Sequence, residues 1–497
     1  MAQGARRIVS ESRSFFGHPR GLAVLFMTEL WERFSYYGMR ALLVLYMTAA
    51  VSSGGLGFDV AKAGALYGLY TAMVYLLSLP GGWIADRFLG QRKSVLYGGV
   101  LIASGNLCLA MPHIALFYSG LAISAIGTGL LKPNASVMVG QLYSAEDRRR
   151  DAGFSIFYMG INLGAFIAPI VCGYAGQRIN WHLGFAIAAL GMVLGLIQYV
   201  AGGRHLGEAG LKPASIKENL EAEKERKWLR GGLWGTAGLV LALLLLDASG
   251  IVEVSVRRLS DALGVVLLAA VAAFFTWALG GRGWSAEERK RLLAVGVLFA
   301  GSALFWCMFE QAGSTLNLFA ERSTDKRILG FEFPASWLQS LNALFIIALA
   351  PVFAWLWVRL GTKEPSSAAK FAWGLLAAAA GFAVLAGGAT RAVNGELVSP
   401  LWLVAVYFLH TLGELCLSPV GLSAMTKLAP ARIGSLLMGV WFLSLSAGNY
   451  LGGRIASLYE ALALPTLFWL IAGFGAAAAL LLAVLARPTR RLMGGVN

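Results

Sequence analysis

Apolar stretches of about 20 residues, separated by short polar or basic links, repeat from one end of the chain to the other, each long enough to cross a hydrocarbon core of about 30 Å. The pattern predicts helices at 21–50, 60–85, 94–112, 115–140, 153–176 and 181–202. A charged link follows, then spans at 231–248 and 260–280, and six more at 290–320, 335–359, 369–389, 400–427, 435–458 and 463–486. The fold class read from this pattern is an all-α membrane protein of 14 transmembrane helices in a six-plus-two-plus-six arrangement. It divides into a bundle over 1–202, a link with two extra helices over 203–289, and a second bundle over 290–497.

Composition strengthens this picture. Of the 497 residues, 58% are apolar and 13% charged, with a mean hydropathy of +0.67, whereas soluble domains carry roughly a quarter charged residues. Soluble enzymes are therefore excluded. The net charge of +15 raises the question of nucleic acid, but its placement answers it. Basic residues gather in alternate connections: Arg87, Arg92 and Lys93; Arg148 to Arg150; Arg289, Lys290 and Arg291; Lys427 and Arg432; Arg487, Arg490 and Arg491. Positive-inside asymmetry puts these in the cytoplasm, and an even number of spans puts both termini there too. The start of the chain is polar and basic without a small-residue cleavage site, so the first span reads as an uncleaved anchor. Cys108, Cys172, Cys307 and Cys416 lie in apolar runs without paired spacing, so neither a disulfide framework nor a zinc site is indicated.

Seven ionisable residues fall well inside the spans: Glu29, Glu32, Arg33, Arg40, Lys132, Glu310 and Glu414. At about 2.5–3.5 kcal/mol each, leaving them unpaired in lipid would cost about 17–25 kcal/mol. They must pair or face water. On the first span, Glu29, Glu32, Arg33, Tyr36, Tyr37 and Arg40 recur at helical spacing, forming one stripe about 140° wide and about 16 Å long. Glu29 and Arg33, four residues apart, can pair directly. An otherwise apolar span with one charged, tyrosine-bearing stripe lines a water-filled path.

ELWERFSYYG (Glu29 to Gly38) matches the ExxERFxYYG signature of the proton-dependent oligopeptide transporter family, of prokaryotic type and within the major facilitator superfamily. FYMGINLGAF (Phe157 to Phe166) resembles its second signature, with Ala165 where Ser is usual. GTGLLKPN (Gly127 to Asn134), FWCMFEQAGS (Phe305 to Ser314) and GELCLSPVGL (Gly413 to Leu422) resemble further family blocks in the right order. GGWIADRFLGQRK between the second and third spans resembles the loop signal of the wider superfamily. The implied function is proton-coupled symport of di- and tripeptides across the bacterial inner membrane by alternating access, by a chain working as a monomer. A relative that moves nitrate, drugs or modified peptides is the alternative.

A dipeptide is a zwitterion, so its site needs fixed cations opposite an anion. Arg33, Arg40 and Lys132 supply the cationic side, Arg through its bidentate fork. Glu414 is the natural partner for the amine. The resemblance implies these same roles and adds Asn162 and Asn342 near the peptide ends; Asn162 also fits plain helix–helix hydrogen bonding. It implies a bridge between Lys132 and Glu310 that closes the cytoplasmic side, as a proton-released gate or as a static brace. Glu29 and Glu32 are the leading proton carriers, with Arg33 between substrate and proton. The seven charges sum to −1, which one proton would neutralise. Tyr36, Tyr37, Tyr75, Tyr158, Trp306 and Trp441 match pocket-lining positions of the family. Gly68 stands where animal members carry a His, so a His there cannot accept the proton in this chain. His410, one turn before Glu414, either tunes it or packs. There is no GxxxxGK[ST] loop, no HExxH and no GxSxG, so neither ATP use nor an intramembrane enzyme is indicated, and no cofactor beyond the coupling proton is implied.

Overall fold

The computed structural model describes residues 15–144, 147–211 and 255–494 except 282, 329, 394, 431 and 432, with scattered positions between 212 and 254. Most of the predicted span at 231–248 and most of the charged link before it lie outside the described residues. By contacts the chain divides into two compact units that interleave in sequence. The first comprises Met1–Tyr46, Leu77–Lys212 and Asp325–Gly361; the second comprises Met47–Leu76, Pro213–Thr324 and Thr362–Asn497.

The described helices follow the apolar pattern closely. They are α1 (Arg20–Thr48), α2 (Val60–Leu76), α3 (Ser78–Ile84), α4 (Gln91–Leu109), α5 (Ile114–Gln141), α6 (Arg150–Tyr174), α7 (Trp181–Gly202), α8 (Val256–Gly280), α9 (Ala286–Phe309), α10 (Thr315–Arg322), α11 (Ser340–Leu360), α12 (Ser367–Ala392), α13 (Leu401–Leu428), α14 (Gly434–Ala456) and α15 (Leu464–Leu492). Ten described stretches are long and apolar enough to cross a membrane. Two predicted spans turn out to be broken. The second divides at Leu77 into α2 and α3, and the ninth divides at a 3-10 turn, Glu310–Gly313, between α9 and α10. A two-residue hairpin, β1 (Arg327–Ile328) with β2 (Phe331–Glu332), precedes α11.

In lipid there is little hydrophobic drive between helices, so close packing of small residues and side-chain hydrogen bonds hold them together. In the second unit α2 and α14 run antiparallel in this way. Ser457 Oγ donates to the Ala61 carbonyl at 3.0 Å and Ser446 Oγ to the Ala72 carbonyl at 2.8 Å. Between them a Cβ built on Gly68 would lie 2.6 Å from the Cα of Gly453. The position where animal members carry His thus has no room for a side chain. α8 lies against α14, with Arg454 Nη1 on Asp261 Oδ1 at 2.8 Å, while its Val265 and Leu268 are exposed.

In the first unit the Gly82–Lys93 loop is built as a latch. Gly90 has φ +74, and Arg92 is held by three hydrogen bonds: its N–H donates to the Gly210 carbonyl, its Nη2 to the Gly207 carbonyl, and its own carbonyl accepts from Tyr199 Oη. The chain's entry is pinned as well. His18 Nδ1 lies 2.9 Å from Tyr143 Oη, and Arg149 donates to the Gly17 carbonyl at 3.0 Å. Burial pushes the Tyr143 phenol up to about 12, so it stays neutral in that contact. On α11's side, Arg178 pairs with Glu332 at 3.2 Å, Trp337 Nε1 donates to the Ile170 carbonyl and Ser340 Oγ to the Phe166 carbonyl. These bonds fix α11 along α6.

Candidate functional site

α1 carries the predicted stripe, and its orientation is fixed from the opposite flank. Thr28 accepts from Gln198 Nε2 of α7 at 2.7 Å, and Ser35 accepts from Asn106 Nδ2 of α4 at 2.8 Å. At 100° per residue both lie outside the arc of the charged residues. With those rotational anchors in place, Glu29, Glu32, Arg33, Tyr36 and Arg40 are all buried. The remaining control is distance. A Cβ on Gly164 of α6 would sit 2.3 Å from the Leu30 carbonyl oxygen and 3.0 Å from Arg33 Cβ, and one on Gly38 would sit 2.5 Å from Cys172 Sγ. The GINLG run of the second signature is therefore what lets α6 lie directly against α1.

The stripe is a connected ionic and aromatic ladder. Arg33 Nε reaches Glu29 Oε1 at 3.1 Å and also pairs with Glu32. Its guanidinium carbon lies 5.5 Å from the centroid of Tyr36, and that of Arg40 lies 5.7 Å from Tyr37. The two tyrosines meet edge to face at 5.2 Å. One guanidinium thus serves two buried carboxylates and an aromatic face. Burying such charges is costly unless each is compensated, which makes Arg33 the residue on which both acids depend.

Lys132 is half-buried on α5, close enough to Glu29 for its charge to act there. Its neighbour Pro133 lies inside the helix and has no N–H to offer the Gly129 carbonyl. That same carbonyl faces Gly81 of α3, where a Cβ would come within 2.1 Å. Asn162 is buried and donates to the Tyr158 carbonyl one turn back at 3.0 Å, while the Tyr158 ring is exposed. Asn342 is half-buried in the first turn of α11. It belongs to the same compact unit as α1, although the chain places it in the later half.

The other predicted residues, Tyr75, Trp306, Glu310, Glu414 and Trp441, belong to the second unit. Glu310 is buried at the break between α9 and α10, and Tyr67 Oη donates to its backbone carbonyl at 3.4 Å. The residue that holds this break is Gln311, which spacing along the chain does not single out. It is fully buried; its Nε2 donates to the Cys307 and Gly452 carbonyls at 3.1 and 2.9 Å, and its Oε1 accepts from Ser314 and Thr315 at 3.3 and 3.0 Å. Trp306 packs edge to face with Phe305 and Phe309 at 5.5 and 5.2 Å. Glu414 is half-buried beside Gly413, whose absent side chain brings the backbones of α12 and α13 together: a Cβ on Gly374 would lie 2.9 Å from the Gly413 carbonyl oxygen. Trp441 is buried over Gly421 and lies 6.5 Å from Phe371, ring to ring, and Tyr75 is buried on α2. His410 packs on Phe382 at 5.2 Å and against Gly381 of α12.

One buried cation escaped the sequence reading. Lys370, in the first turn of α12, pairs with Glu364. It sits at the edge of its apolar run, where a Lys ordinarily reaches into water. Among the described residues no group of His, Cys, Asp and Glu could hold a metal ion.

Comparison with known proteins places this arrangement. A family model described as "POT family" matches residues 92–470. The chain is 43% identical over 500 aligned residues to the Peptide transporter YePEPT of Yersinia enterocolitica, covering 98% of this chain and 97% of that one. It is 38% identical to a Di-/tripeptide transporter of Lactococcus lactis, covering 98% of each. A crystal structure of a peptide transporter POT in complex with sulfate superposes with a TM-score of 0.92 at 44% identity, covering 97% of each chain.

Proposed function

From the premise that the chain belongs to the POT family, and so is a major facilitator superfamily transporter rather than an enzyme, we propose that it carries di- and tripeptides together with protons by alternating access. The observation that supports this most strongly is the buried pairing of one guanidinium, Arg33, with two carboxylates, Glu29 and Glu32. A peptide carboxylate drawn to Arg33 would leave those acids short of a counter-charge and so favour a bound proton. Substrate and proton are then coupled through one side chain.

The residue roles follow the chemistry. Arg33, Arg40 and Lys132 take the peptide carboxylate and Glu414 the amine. Tyr36, Tyr37, Tyr75, Tyr158, Asn162, Trp306, Asn342 and Trp441 line the path. Glu29, Glu32, Arg33, Lys132 and Glu310 are the proton-coupling set. No cofactor enters beyond the proton. The organisation we propose is a bundle over 1–202, an insertion over 203–289 and a bundle over 290–497, in the bacterial inner membrane, with both termini cytoplasmic. The transporter works as a monomer.

The test is uptake of dialanine, with nitrate in parallel, into liposomes holding the purified protein under an inward proton gradient. Glu32→Gln is expected to abolish gradient-driven uptake while leaving peptide counterflow intact. Wild-type protein that moves no dipeptide under any gradient would refute the proposal.

A further inference from the structure

α9 and α15 run antiparallel in the second unit, and three close approaches fix their register. A Cβ on Gly475 would lie 2.6 Å from Met308 Sδ, Leu482 Cδ2 lies 3.2 Å from the Cβ position of Gly301, and Arg291 Nε lies 4.0 Å from that of Gly494. The start of α9 and the end of α15 therefore share one membrane face. Arg289, Lys290 and Arg291 begin the first helix, and Arg487, Arg490 and Arg491 end the second. The acids nearest in sequence are Glu287 and Glu288, and the Glu288 carboxylate already caps α9 by accepting from the Ser285 N–H at 2.8 Å. Among the described residues none of the six cations is ion-paired, and Arg291 Nε is sealed from solvent without a hydrogen-bond partner.

The apolar surface leading to this cluster has a matching shape. α15 continues through its arginines, so Leu480, Val484, Arg487 and Arg491 fall within about 60° of one another at 100° per residue. Leu480 is 69% and Val484 66% exposed, and Arg487 and Arg491 are exposed beyond them. An outward apolar track ending in unpaired guanidiniums is complementary to an acyl chain ending in a phosphate, and guanidinium is the group suited to bidentate phosphate capture.

We propose that the basic end of α15 binds an anionic phospholipid, with its headgroup phosphate on Arg487 and Arg491 and an acyl chain along Leu480 and Val484. The site is independent of the peptide path, and none of its residues belongs to the proposed transport machinery.

Native mass spectrometry of the detergent-purified chain, titrated with phosphatidylglycerol or phosphatidylcholine, tests it. Each cation near a phosphate is worth about fivefold in affinity, so wild type should retain phosphatidylglycerol about tenfold or more over phosphatidylcholine. Arg487→Gln/Arg491→Gln should erase that preference, whereas Lys93→Gln/Arg204→Gln, with the same charge removed elsewhere, should keep it. Arg491→Gln alone, at an exposed position, supplies the graded loss should the double variant fold poorly. Equal retention of both lipids, equal loss in the two double variants, or displacement of the lipid by millimolar inorganic phosphate would each overturn the assignment.

Discussion

Gly164→Ala is the sharpest test of how α1 is held. The added methyl carbon would sit 2.3 Å from the Leu30 carbonyl oxygen, whereas carbon–oxygen contacts in proteins begin near about 3.3 Å. Helix α6 must therefore move about 1 Å away from α1, or α1 must bend. Overpacking of this kind costs about 1–3 kcal/mol, and a displacement of about 1 Å at a functional constellation lowers rates by as much as about a hundredfold. Gly82→Ala provides the internal control. There the new carbon meets only Pro133, at 3.8 Å, and Gly→Ala at a compatible helical position stabilises by about 0.4–1 kcal/mol. The two identical substitutions in one unit are thus expected to shift the melting temperature in opposite directions. Gly164→Ala should also slow proton-driven dialanine uptake, because Arg33 lies beside the new methyl. Melting in detergent and initial uptake rates in proteoliposomes report the two effects. If Gly164→Ala melts at or above Gly82→Ala and transports within about twofold of wild type, where the displacement argument expects far more, the close approach of α6 to α1 does not govern the stripe.

Three further outcomes follow from particular contacts. Gln311→Ala removes the side chain that satisfies two carbonyls and two hydroxyls at the α9–α10 break. At about 1–3 kcal/mol for each buried group left unpaired, it should lower the melting temperature far more than truncation of an exposed glutamine. Gly68→His, which would restore the residue of animal members, should give little folded protein by size-exclusion chromatography, because even its Cβ meets the Gly453 backbone at 2.6 Å. Finally, Arg149 holds the Asp147 carboxyl down at about 2, chiefly through its side-chain hydrogen bond. A depressed carboxylate contributes stability that is present above its unfolded value and is lost as pH falls through its folded one. The melting difference between wild type and Asp147→Asn should therefore be flat from pH 8 to about 5 and shrink only below about pH 4. A difference that changes near neutrality would count against this pairing.

Hydropathy and charge spacing suffice to place most of the helices, because in lipid every backbone polar group must be satisfied within its own segment. The α1 stripe is equally local. Its spacing puts Glu29, Arg33, Tyr36, Tyr37 and Arg40 on one face of any helix, and the pairing of Arg33 with Glu29 follows from that alone. Three things depend on neighbours that sequence spacing cannot reveal. The break at Glu310 rests on Gln311 finding a carbonyl on α14, far along the chain, so an apolar run reads there as one continuous span. Lys370 sits at the edge of its run, and its burial comes from Glu364 and the helices around it. The grouping of α2 with α14, and of α11 with α6, sets chain order aside because small residues at Gly68 and Gly453 and hydrogen bonds at Trp337 and Ser340 select the partner. The arginines after Ala486 read as a basic tail; only the continuation of α15 through them sets Arg487 and Arg491 in line with Leu480 and Val484. Local periodicity thus decides what each helix presents, and the fit between helices decides what that face meets.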